Sequence, residues 1–69
     1  THRELVLLEI PGDVTSQEVR SEDSLVGHIR SSYSGPNGES FAICHLRNEA
    51  RSQPLYVGTL TVTSVRNVV

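Results

Sequence analysis

Cys44 and His45 are the residues whose types come nearest to chemistry. A thiol beside an imidazole can act as a thiolate nucleophile, provided the two side chains reach hydrogen-bond distance. Both fall within Ser40–Leu46, where Phe41, Ile43 and His45 alternate with Ala42, Cys44 and Leu46. That alternation predicts a strand, and strand neighbours point to opposite faces, so the two cannot meet. His2 and His28 could approach Cys44 only through the fold, and their spacing gives no reason to expect it. Cys44 is therefore expected to be buried and structural, as free cysteines often are. As zinc ligands, the same four residues lack any Cys-x-x-Cys or His-x-x-x-His pair, and no metal site is expected.

Three other groupings resolve in the same way. Gly35-Pro36-Asn37-Gly38-Glu39-Ser40 has the glycines of a phosphate loop but no lysine, and Glu39 would repel a phosphate. A turn is expected there. Glu22 and Asp23 are adjacent acids, which diverge on a helix, and they suit its first turn better than paired acid–base work. Arg30-Ser31-Ser32-Tyr33-Ser34 offers serines beside an arginine, a candidate phosphorylation segment near a helix end. No catalytic residue, cofactor or metal is expected, and the chain does not read as an enzyme.

Size and composition narrow the classes further. Sixty-nine residues suffice for one domain, residues 1–69, with a thin core drawn from 36% hydrophobic content. A neighbouring domain or a second copy is expected to share in its stability. All six basic residues are arginines, Arg3, Arg20, Arg30, Arg47, Arg51 and Arg66, scattered among eight acids for a net charge of −2. That balance disfavours nucleic acid, as do only three aromatics, Tyr33, Phe41 and Tyr56. One cysteine permits no internal disulfide and no Asn-x-Ser/Thr site occurs, so an intracellular setting, cytoplasmic or nuclear, is expected. No apolar run is long enough for a bilayer, and no membrane partner is expected. The chain opens on Thr1, which suggests a piece of a longer protein.

The elements that must position these residues follow from punctuation and period. Glu4 to Ile10 is of strand length and ends at Pro11-Gly12-Asp13; Val6, Leu8 and Ile10 share one face, Leu5, Leu7 and Glu9 the other. With both faces partly apolar it reads as a central strand. Val14 to Arg20 is expected to return beside it through the Pro-Gly-Asp turn. Ser21 as a cap, with Leu25, Val26, Ile29 and Tyr33 at helical spacing, predicts a helix over about residues 22–33, ending near Gly35-Pro36. Ser40–Leu46 is a strand and Arg47 to Gln53 a polar loop. From Val57 onward Leu60 and Val62 alternate with Thr59, Thr61 and Thr63, a half-solvated strand with Gly58 as a bulge.

This order, strand, strand, helix, strand, strand, resembles the β-grasp layout. Glu18-Val19-Arg20-Ser21-Glu22-Asp23-Ser24-Leu25 resembles the second-strand end and helix start of ubiquitin-like domains, and the likeness covers residues 4 to 33. It implies an α+β fold in which four to five strands, as a mixed sheet, pack on one helix. The alternative is a small mostly-β barrel. The chain ends Asn67-Val68-Val69 rather than Gly-Gly and contains no lysine. The resemblance thus implies a non-conjugated ubiquitin-like or Ras-association-like domain that presents a sheet face or edge.

The function expected is a non-catalytic protein–protein interaction or assembly module, with another protein or a second copy as partner. Its expected contact residues are Tyr56, Thr59, Thr61 and Thr63 on the solvated face of the last strand, rimmed by Arg47 and Arg51. The rivals are a small nucleic-acid-binding barrel and a purely structural subdomain of a larger enzyme or complex subunit.

Overall fold

The computed structural model describes residues 3–68 and is nearly all antiparallel sheet. The strands are β1 (Arg3–Ile10), β2 (Glu18–Ser21), β3 (Ser24–Ser34), β4 (Ser40–Arg47), β5 (Tyr56–Val57), β6 (Leu60–Thr61) and β7 (Ser64–Asn67). A 3-10 segment at Asn48–Ser52 is the one helical element among the described residues. The sheet order is β6-β5-β2-β3-β4-β1-β7, and all its pairings are antiparallel.

This order dictates the curvature. A flat sheet would hold its outermost strands β6 and β7 about 29 Å apart at ordinary strand spacing. Only Val62 and Thr63 separate β6 from β7 in the chain, and such a connection reaches about 11 Å fully extended. The sheet must therefore curl, and it forms a half-barrel. Val62 N–H donates to the Leu55 carbonyl and Thr63 N–H to the Glu9 carbonyl, each at 2.8 Å.

The concave side holds the core. Val6, Leu8 and Ile10 of β1 are fully buried, as are Ala42, Cys44 and Leu46 of β4, Val19 of β2 and Val57 of β5. Val14, Leu60, Val62 and Val65 pack against that cluster. The 3-10 segment adds Ala50, and Leu55 follows it into the core. Each buried valine, leucine or isoleucine contributes on the order of 1.5–3 kcal/mol by leaving water, the alanines less.

The expected helix over residues 22–33 is absent, and the β-grasp layout falls with it. Ser21 pairs with Ser24 across a tight turn made by Glu22 and Asp23, so the apparent cap is a hairpin loop. Two bulges in β3 explain why its apolar residues looked helical. Against β2, Gly27 pairs with Val19 and Leu25 with Arg20, leaving Val26 as the extra residue. Against β4, Ile29 pairs with Cys44 and Ser31 with Ile43, leaving Arg30 extra. Each bulge resets the two-residue alternation. Val26 and Ile29 consequently share the core at a spacing of three, while Leu25 and Tyr33 are exposed.

Two smaller expectations are also corrected. The sheet is antiparallel rather than mixed, with seven strands instead of four or five. β2 does not return beside β1: β1 lies between β4 and β7, and β2 between β3 and β5. Pro11 to Gln17 is a connector that carries the chain away from β1, with Val14 against the core. Gly58, expected as a bulge, takes φ +60 as the first residue of the two-residue β5–β6 turn.

Candidate functional site

Alternation makes the side of β1 and β4 away from the core unusually apolar. The register lines its residues into rows across β3, β4, β1 and β7. The first row is Tyr33, Phe41, Glu9 and Ser64; the second is Ser31, Ile43, Leu7 and Arg66. The third is His28, His45 and Leu5, where Val68 N–H donates to the Leu5 carbonyl at 3.4 Å. Arg47 and Arg3 face each other in a fourth. Leu5, Leu7, Phe41 and Ile43 are each only half-buried, and Tyr33 is 53% exposed. The Tyr33 and Phe41 rings stack with centroids 5.7 Å apart. A shallow hollow of about 200 Å³ opens on this face between Leu7, Glu9, Phe41, Ser64 and Arg66.

The charges are unevenly shared. Arg3, Arg47 and Arg66 stand in these rows with Glu9 as the one acid. Among the described residues none of the three arginines is in an ion pair; the pairs are Arg20–Glu18 at 3.1 Å and Arg51–Glu4 at 2.7 Å. Arg3 and Arg47 are direct cross-strand partners, an arrangement that like charges disfavour.

Cys44 points the other way. It is fully buried, with Val6 and Ile29 as its cross-strand partners, and burial pushes its thiol up to about 11. It is a protonated packing residue at neutral pH, and His45 faces the opposite side of the sheet. His2 lies outside the described residues, as do Thr1 and Val69. Among the described residues no three His, Cys, Asp or Glu side chains are grouped to hold a metal.

The glycine turn is a five-residue β3–β4 connection. Gly35 N–H donates to the Glu39 carbonyl at 2.7 Å, and Asn37 N–H donates to Glu39 Oε1 at 2.8 Å. The Glu39 carboxylate thus takes an amide that a phosphate loop would offer its ligand. Arg30 to Ser34 lies along the exposed second half of β3, not at a helix end.

The expected contact residues are divided. Tyr56 pairs with Thr61 across β5–β6, with Thr59 in the turn between. Thr63 is exposed and its hydroxyl donates to the Glu9 carbonyl at 3.1 Å. Arg51 is tied to Glu4 of β1 and Asn67 of β7. Arg47 faces Arg3 on the outer side of β4, and β2 and β3 stand between β4 and β5 in the sheet. The structure instead gathers Leu5, Leu7, Phe41, Ile43, Arg3 and Arg66, none of them singled out as contacts from the sequence. The available signal was the double-sided hydrophobicity of Glu4–Ile10 and Ser40–Leu46.

Among the described residues no helix is long and apolar enough to cross a membrane. No known protein family, curated protein or solved structure matches the chain.

Proposed function

We propose that this domain is a protein-interaction or assembly module whose contact surface is the outer face of β3, β4, β1 and β7. The observation that supports this is the contiguous set Leu5, Leu7, Ile43 and Phe41, each still partly in water on the side away from the core. Contiguous apolar patches rimmed by polar groups mark contact sites, because covering them releases water that the fold itself left in place. Aromatic and arginine side chains, here Tyr33, Phe41, Arg47 and Arg66, are the types that most often dominate such contacts. The Tyr56–Thr61 surface is smaller and polar, and is the lesser candidate.

Position-resolved crosslinking tests this reading. A photoreactive residue is placed at Leu7 or, as control, at Thr61, in the chain within its own cells. Protein adducts at position 7 that disappear with Ile43→Glu are expected. Adducts at position 61 alone, or none at either position, contradict it.

A further inference from the structure

We infer that the segment docked on this face is acidic: an extended stretch of another protein with carboxylates set among apolar side chains. This rests on reading the face as a protein contact surface and names the chemistry of its partner. The chain carries a net charge of −2, yet the rows hold three arginines against Glu9, so seven of the eight acids lie outside them. Arg3 and Arg47 oppose each other with no acid between them, a repulsion that an incoming carboxylate would relieve. Arg66 and Glu9 both line the hollow with Leu7 and Phe41, so an apolar side chain seated there would bring a carboxylate that follows it on the Arg66 side within reach of the guanidinium. Alternate side chains of an extended peptide recur about every 7 Å, the spacing of the rows themselves.

Two other occupants fit less well. A second copy would set one net-positive face on another, and like charges across an interface oppose binding. A single nucleic-acid strand needs cations along its backbone and free aromatic faces for its bases. Here Tyr33 and Phe41 stack on each other in the first row beside Glu9, while Arg3 and Arg47 are three rows away.

The test is fluorescence anisotropy with the purified chain and three labelled probes. They are a peptide of glutamate, leucine and serine, the same peptide with lysine for every glutamate, and an oligothymidine. The acidic peptide is expected to bind at least about tenfold tighter than either other probe. Arg47→Glu with Arg66→Glu should remove that preference, as should the milder Arg47→Gln with Arg66→Gln, and Thr61→Glu should leave it intact. Circular dichroism of each variant verifies that the sheet is retained. Equal binding of the two peptides, tighter binding of the oligothymidine, no binding, or indifference to both double variants would overturn the proposal. Should protein adducts at position 7 persist despite such a result, the contact face stands and only its acidic partner is lost.

Discussion

Val62 and Thr63, neighbours in the chain, donate their backbone N–H groups to opposite ends of the sheet, one to Leu55 and the other to Glu9. Because β6 and β7 are the outermost strands, these two bonds are where the curled sheet is tied. Proline at Thr63 deletes one bond by removing its donor. Thr63→Pro, which loses both the backbone and the hydroxyl bond to Glu9, is expected to cost about 1–3 kcal/mol in urea unfolding, more than Thr63→Val, which loses only the hydroxyl bond and should cost at most about 1 kcal/mol.

Gly27 separates the strand account from the helical one by the sign of a single substitution. A Cβ at this position would lie 2.6 Å from the His45 carbonyl oxygen and 3.2 Å from Leu46 Cδ1. Alanine would stabilise a helix interior by about 1 kcal/mol. Here it must push β3 off β4, and Gly27→Ala is expected to destabilise by about 1–3 kcal/mol in the same unfolding assay.

Glu22 adopts φ 57 in the β2–β3 turn, a left-handed conformation that glycine accepts without strain. Glu22→Gly should therefore raise stability by up to about 1 kcal/mol. An unfolding midpoint that stays level or falls would show that the turn does not carry this strain.

Cys44 gives the domain an alkaline weakness. Its buried thiol titrates at about 11 against an ordinary 9.0, so the unfolded chain loses its proton first. The stabilising effect of the neutral thiol is complete below pH 9.0 and is lost as pH rises towards 11. Unfolding free energies measured across that window should fall with pH, and fall less steeply in Cys44→Ala. Thiol-reagent labelling at neutral pH should occur only as fast as the chain opens.

The strands at Arg3–Ile10 and Ser40–Arg47 were legible because each keeps an unbroken two-residue period between turn residues. β3 was not legible, since bulges at Val26 and Arg30 put Val26 and Ile29 together in the core and imitate a helical stripe. Ser21-Glu22-Asp23 compounded this, because the same residue types serve a helix cap and a hairpin turn. The outer face escaped for a different reason. Its residues come from four strands, and their neighbours are set by a register that no local pattern encodes. Arg3 and Arg47, which meet across β1 and β4, are 44 positions apart in the chain.

If Leu7 and Ile43 serve contact rather than the stability of the fold, unfolding measurements will separate them from a core residue on the same strand. Leu8, their buried neighbour, sets the scale, with Leu8→Ala expected to cost about 2–5 kcal/mol. Leu7→Thr and Ile43→Thr place a β-branched, strand-compatible side chain on the outer face and are each expected to cost under about 1 kcal/mol. Losses as large as that of Leu8→Ala would mean these side chains belong to the core, and would contradict the contact face.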